Sequence, residues 1–442
     1  MSSTEYQALI DLSARIGADP ALVQAAGGNT SIKDGDTLWI KASGLWLAHA
    51  KERDVMVPVK LGAILEAVAK DDPSAEKAHV HVDQALAKNG LRPSIETTVH
   101  ALMPQKVVVH VHCVETIALA VRADAEQILA ERLKGVAYAF VPYCRPGLPL
   151  ARAIHARMRP DISVLILGNH GLVVAGETVA EADALLTDIC QRLASPRRPA
   201  PVADLAALSR LALDSSYMLP ANESLHGAAT DLENCRIAAG GSLYPDHVIF
   251  LGPGFMIAAP GESAVEMEDR LSNPPPVLLF PGKGVLVKKA IEPGPLALLG
   301  CFVDVASRIP EGARLGYFTP EQNAELLGWD AEKYRQELNK RGPASNDPAP
   351  ARHWSGYGHL GRARRGDGRG RPGCRQRRRQ AFELQRRSPR SRGMAGGDAR
   401  GVDGRAGRDR SQRRRRHRGR RHVWHGFTGG WKRAAAGAPD DV

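Results

Sequence analysis

Along residues 4–16, and again along 58–70, Leu, Ile, Val and Ala recur at the three- and four-residue spacing of an amphipathic helix. Between these stretches, AAGGNTSIKDGDTLWIKASG reads as two short strands joined by a DG turn. Pro93-Ser94 opens a further helix with Ser94 as its N-cap, and Pro104 closes it. KVVVHVH, residues 106–112, is a β-rich run; a helix over roughly 114–132 and a strand near 136–142 follow. A helix over 150–158, a buried strand over 163–167 and a turn at Gly168-Asn169-His170-Gly171 come next, then a strand over 172–175 and a helix over 178–194. Strands and helices alternate, which predicts a mixed α/β layered domain.

SPRRPAPVAD, residues 195–204, breaks the pattern as a Pro-rich linker, and a second globular region runs over 205–345. Leu-rich helices open and close it at 205–213 and 320–340, and LYPDHVIFLGPG and PPPVLLFPGKGVLVKK between them read as strands with Pro/Gly turns. NDPAP, residues 346–350, is a second linker. The 442 residues are enough for two domains and a well-buried core.

Charge changes the picture only at the C-terminal end. Residues 1–350 hold 33 Lys and Arg against 41 Asp and Glu, whereas residues 351–442 hold 27 against 7, so a net −8 body precedes a +20 tail. The basic character of the whole chain therefore does not make the body a nucleic-acid binder. The tail, Arg/Gly-rich and almost without Ile, Leu or Val, cannot build a core and reads as disordered. Either it is an RNA-binding Arg/Gly segment, or it is out-of-frame translation of a GC-rich gene, a reading favoured by its single Lys among many Arg. The six cysteines, at 113, 144, 190, 235, 301 and 374, form no CxxC pair and no disulfide framework, which points to a reducing, cytoplasmic setting. The N-terminus reads as an amphipathic helix rather than a signal peptide, and no apolar run approaches the ~20 residues of a membrane span.

Candidate chemistry gathers on the first region. Residues i and i+2 of a strand face the same side, so His110 and His112 can present two imidazoles to one ion while Val111 packs into the core. His170, on a Gly-flanked turn 58 residues beyond His112, completes three nitrogen ligands and leaves a position open, the pattern of a catalytic zinc. The same spacing recurs at His79-Val80-His81, in a charged, loop-like context, and two strand histidines can equally be satisfied core polar groups. The 110/112 pair is preferred because it ends a buried strand and has a later histidine partner. Glu96 falls in the first turn of its helix, where it serves either as a helix-stabilising charge or as a general base beside the ion. Gly27-Gly28-Asn29 and Ser43-Gly44 are small, donor-rich turns, ordinary in hairpins but also able to cradle an oxyanion.

Taken in order, GGNTS, KASG, PSIETTVHALMP, VVVHVHCVETIALA and LGNHGLVVAGETVAEADALL resemble blocks of the class II aldolase/adducin family, over residues 5–195. The resemblance implies an α/β/α sandwich around a mostly antiparallel sheet, usually in a homotetramer. It also implies zinc (Zn2+) or another divalent metal on His110, His112 and His170, Glu96 as the acid/base, and substrate contacts from Gly28, Asn29, Ser43, Gly44 and Ser94. The activity implied is cleavage of a ketose or ketose 1-phosphate to an aldehyde and a ketone through a metal-stabilised enediolate. An epimerase on the same scaffold and a non-enzymatic adducin-like module are the alternatives, the latter disfavoured by the presence of all three histidines. Ile95 stands where the fuculose-phosphate enzymes carry a second Ser. PSIET and YPDHVIFLG look more like the aldolase portion of bifunctional rhamnulose-phosphate aldolase/alcohol dehydrogenases. The tyrosine that the fuculose enzymes take from a neighbouring subunit has no clear match, with Tyr138 and Tyr143 as candidates. The expected layout is thus an aldolase-like domain over 1–195, a second region over 205–345 and the tail over 351–442.

Overall fold

The first region is organised by a seven-stranded sheet of β1 (Asn29–Asp34), β2 (Thr37–Lys41), β3 (Met56–Lys60), β4 (Val107–Val111), β5 (Tyr138–Val141), β6 (Val164–Leu167) and β7 (Gly171–Gly176). The order across the sheet is β3-β2-β1-β4-β7-β6-β5, antiparallel throughout except for the parallel β5–β6 edge. The structure is a computed structural model and describes residues 3–330, apart from Asn89, together with Lys333. All of these lie in a compact unit spanning residues 1–353. The Arg-rich tail, the NDPAP linker and nearly all of the expected helix beyond 330 lie outside the described residues.

Helices α1 (Ser3–Gly17), α2 (Leu61–Ala69), α3 (Thr97–Leu102), α4 (Val114–Ala120), α5 (Ala125–Arg132), α6 (Leu148–His155) and α7 (Val179–Leu193) cover both faces of this sheet. The two-residue period of β4 decides which face each side chain joins. Val107, Val109 and Val111 pack with Leu9 of α1, Leu119 of α4, Leu129 of α5 and Leu186 of α7. Val108 points the other way, into a core with Val99 of α3 and Leu150 and Ile154 of α6. Three layers, α/β/α around a mostly antiparallel sheet, are the result. His110 shares the face of Val108.

The second region carries α8 (Leu205–Leu211), β8 (Tyr217–Met218), α9 (Gly227–Thr230), α10 (Leu232–Ala239), α11 (Pro245–Leu251), β9 (Met256–Ile257), α12 (Ala264–Asp269), β10 (Val277–Phe280), β11 (Gly284–Lys288), α13 (Pro293–Ala306) and α14 (Pro320–Gly328). Its strands form a four-stranded sheet in the order β8-β11-β10-β9. Leu298, Leu299 and Phe302 of α13 share one buried core with Val114, Ile117 and Ala118 of α4. A fully buried side chain of this size stabilises by about 1.5–3 kcal/mol, so the shared core fastens the second region to the first.

Four expectations about elements need correction. YPDHVIFLG is not a strand: Pro245 sits at the first helical position, the following residues are buried on several sides without alternation, and Gly252, at φ 96, ends helix α11. The helix after Pro93 starts later, at Thr97, because Ser43 N and Ser94 N donate to Arg92 O and Lys41 O and hold residues 92–94 as extended chain. Glu96 is therefore the residue before the helix, and Ser94 is not its cap. The helix expected over 114–132 breaks into α4 and α5 where Arg122 pairs with Leu315 and Ala123 N donates to Arg314 O. Residues 58–60, read as the start of a helix, belong to strand β3 (Met56–Lys60) on the edge of the sheet, and α2 begins only at Leu61. Among the described residues no helix is long and apolar enough to cross a membrane, and the five described cysteines are free thiols.

Candidate metal centre

Register builds the site. Asn29, the first residue of β1, lies opposite His110 on β4, and His110 in turn lies opposite Val173 on β7, whose first residue Gly171 follows His170 directly. The three strand ends thus bring Asn29, His110, His112 and His170 to one place. Glycine is required at two points there. A Cβ on Gly171 would lie 2.5 Å from Val111 O, and one on Gly28, at φ 60, would lie 3.0 Å from His110 O.

The ligand-type atoms of Glu96, His110, His112 and His170 all lie within 4.8 Å of one another, and all four residues are buried. Their imidazole centroids are 5.0–5.2 Å apart. Glu96 bridges two of them, with Oε2 3.3 Å from His110 Nε2 and Oε1 3.2 Å from His170 Nε2. His110 Nδ1 donates to Leu172 O at 3.0 Å, which leaves its Nε2 with a lone pair directed at the cluster. His112 Nδ1 is 2.9 Å from Asp246 Oδ2, an ion-pair distance. The Nε2 atoms of His110 and His112 are buried without a hydrogen-bond partner, a costly arrangement for polar atoms unless a cation takes their lone pairs. The donor set therefore fits a divalent metal: three imidazoles and a carboxylate, with nitrogen ligands suited to zinc and its neighbours.

Burial holds His110 below the ordinary imidazole value, with Glu96 opposing, and takes His170 down to about 3. Burial also works against charge on Glu96, but the surrounding imidazoles and the Asn29 amide outweigh it and keep the carboxyl below its usual range. Near neutral pH an ionised Glu96 thus stands beside neutral His110 and His170, the protonation state in which such groups bind metals.

Glu96 is held from behind. Asn29 Nδ2 donates to Glu96 Oε2 at 2.8 Å and to Ser94 Oγ at 3.1 Å. Asn29 Oδ1 accepts from His100 Nε2, so the other nitrogen of His100 accepts from Ser31 Oγ at 2.7 Å. A chain of hydrogen bonds, Ser31 to His100 to Asn29 to Glu96, fixes the carboxylate. Sequence reading missed His100; its only local signal is the four-residue spacing from Glu96.

Of the residues expected to line the site, Gly28, Asn29, Ser43, Gly44, Ser94, Glu96, His112 and His170 border one cleft, joined by Lys41, Ile95, Pro146, Pro245 and Asp246. The void inside is about 30 Å³, room for an ion or a water rather than a sugar. Lys41, also missed, is buried and donates from Nζ to Ala26 O at 2.8 Å and Gly28 O at 3.1 Å, pinning the Gly27-Gly28 turn. Tyr138 and Tyr143 do not border the cleft. His79 and His81 end a short 3-10 turn, Ala78–His81, and take no part.

The second region reaches this site twice, through Asp246 and through the turn before His170. Asn169, in the left-handed conformation at φ 54, donates from Nδ2 to Leu243 O at 2.9 Å and Gly316 O at 2.6 Å.

The chain is 32% identical over 175 residues to an uncharacterized oxidoreductase, YuxG, of Bacillus subtilis, covering 37% of this chain and 25% of that protein. The chain thus spans about a quarter of that relative's length. It is 29% identical over 168 residues to an L-fuculose phosphate aldolase of Methanocaldococcus jannaschii, covering 37% of this chain and 80% of that protein. Among solved structures, the N-terminal class II aldolase domain of a conserved protein from Thermoplasma acidophilum aligns at 26% identity and a TM-score of 0.38, over 44% of this chain and 93% of that one. Residues 7–194 match the sequence profile of the class II aldolase and adducin N-terminal domain, the family that this stretch of the chain is similar to.

Proposed function

We propose that this protein is a metal-dependent aldolase that cleaves a ketose, or a ketose 1-phosphate, to an aldehyde and a ketone. The observation that carries the reading is the convergence of four buried groups with orphaned Nε2 lone pairs on His110 and His112. His110, His112 and His170 would hold the ion, zinc by the donor set, with Glu96 beside it. Bound there, a divalent ion supplies Lewis-acid polarisation of the substrate's oxygens. The remaining work falls to side chains. Breaking the C–C bond of a ketol releases the hydroxyl proton of the half that becomes the aldehyde and leaves an electron pair on the carbon that stays with the ketone half, so that, in sum, one proton leaves the oxygen and that carbon gains a proton. Glu96, fixed by Asn29 and buried away from bulk water, is the group placed to exchange it. Gly28, Asn29, Ser43, Gly44 and Ser94, with Lys41, would bind the far end of the substrate, and Ile95 gives that end fewer donors than a second serine would. Residues 1–195 would carry the catalytic scaffold and 205–345 its support, as the aldolase portion of a YuxG-like protein, working as a homo-oligomer on a small sugar or sugar phosphate.

The deciding assay incubates the zinc-loaded and the chelator-stripped protein with ketohexose 1-phosphates, 6-deoxy sugars included, and with the free ketoses, and measures aldehyde release. Metal-dependent release supports the reading. Epimerisation of a pentulose phosphate without aldehyde release would move the protein to the epimerase class.

A further inference from the structure

Two carboxylates approach the histidine cluster, and they do so from different sides. Glu96 touches the Nε2 atoms of His110 and His170 and is one of the four groups whose ligand atoms converge. Asp246 is not one of those four; its Oδ2 lies 2.9 Å from Nδ1 of His112, the nitrogen opposite the orphaned Nε2. We propose that Asp246 is a positioning residue of the metal centre: its carboxylate faces the Nδ1–H of His112, keeps the proton on that nitrogen so that Nε2 carries the lone pair, and aims the ring at the shared centre. The inference rests on the metal reading above, and goes beyond it in giving the second region a part in the site.

Three observations support it. First, His110 and His112 solve the same problem by different means. His110 is inside β4, and its Nδ1 is fixed by the carbonyl of Leu172 on the neighbouring strand. His112 lies just past the end of β4, where no ladder partner holds it, and the group facing its Nδ1 is Asp246. Second, the position is built for this contact. A Cβ on Gly27 would lie 2.7 Å from His112 Nδ1 and 2.8 Å from Asp246 Oδ2, so any side chain there would wedge the two apart. Third, Asp246 is 2% exposed and His112 6%, so the two groups meet at 2.9 Å away from bulk water, where charge and ring orientation act on one another with little screening. A carboxylate behind a metal-binding imidazole orients the ring and raises its basicity, and loss of such a group typically weakens metal affinity 10–100-fold.

The test measures zinc affinity of the full-length chain by competition with a chromophoric chelator, alongside the visible absorption of the cobalt-substituted protein and the melting temperature of the metal-free form. Asp246→Ala is expected to weaken zinc binding 10–100-fold and to change the cobalt spectrum. Asp246→Asn, which keeps shape and an acceptor but not the charge, is expected to give a smaller loss of the same kind and carries the test if the alanine variant does not fold. Parent-like zinc affinity and an unchanged cobalt spectrum in a folded variant, with or without a lower melting temperature, would reduce Asp246 to a structural ion pair and overturn the proposal. A parent protein that binds no metal would overturn the metal reading itself, and this inference with it.

Discussion

The tripeptide His-Val-His occurs twice, at 79–81 and at 110–112, and the two copies share nothing but their letters. At 110–112 the backbone is the end of a central strand, paired on both sides, with Val111 fully buried. At 79–81 it is a 3-10 turn, with Val80 55% exposed. Two steps along a strand return a side chain to the same face, whereas two steps along a 3-10 helix rotate it by roughly 240°. Their surroundings differ as sharply. His110 and His112 face the carboxylates of Glu96 and Asp246, whereas His79 is depressed by burial and by the neighbouring cations Arg92 and Lys77. Ligand spacing acquires meaning only with the backbone period and the sign of the local field; one copy would draw in a cation and the other would repel it.

The comparison breaks most decisively on metal content. Replacing both His110 and His112 by Ala is expected to abolish binding of the single ion per chain, and replacing both His79 and His81 to leave it intact, as elemental analysis of dialysed protein would reveal. The reverse result would move the site to the turn. Next in size, Glu96→Gln preserves shape and hydrogen bonding but cannot carry a proton. Turnover should fall ~10²–10⁴-fold while metal content stays near that of the parent. Undiminished turnover at full metal occupancy would assign Glu96 a structural role only.

The smallest effect separates buried from exposed histidines by acid. His247 is fully buried among Tyr244, Phe255 and Phe302, both ring nitrogens lack partners, and burial takes it down to about 3. Its folded value lies below its unfolded one, so the unfolded chain binds the proton first. The stability contribution is complete above pH 6.5 and is lost as pH falls from there towards about 3. His247→Leu should flatten the dependence of unfolding free energy on pH in that window by about 1.4 kcal/mol per pH unit. His79→Ala, at an exposed ring, should flatten it less. Equal slopes for parent and His247→Leu in denaturant titrations would contradict the assignment.

What the sequence made legible was local. KVVVHVH announces a buried strand because its apolar run is continuous, and NHG announces a turn because Asn tolerates the left-handed conformation that Asn169 adopts. From these two, the three histidines follow. What stayed hidden depends on contacts far apart in the chain. Lys41 looks like any strand-end lysine until its ammonium is found under the Gly27-Gly28 turn. Asp246 sits in a segment whose short apolar run suits a strand as well as a buried helix, and nothing nearby marks His112 as its partner. Glu96 does lie beside the three histidines, but in a different local setting from the expected one, because the pairing of residues 92–94 with 41–43 delays the helix.

The grip of Leu243 and Gly316 on Asn169 has a temporal side. A chain is made from its N-terminus, and domains generally fold in that order during synthesis. All three histidines will have left the ribosome well before residue 316 is added. The left-handed turn that presents His170 receives its second carbonyl only then, across 147 residues of intervening chain. Contacts of such long separation close late, because the entropy of the loop must be overcome first. The nascent first region therefore passes through a period with its last strap unfastened, and the turn before His170 is secured only on completion of a region that supplies none of the three histidines.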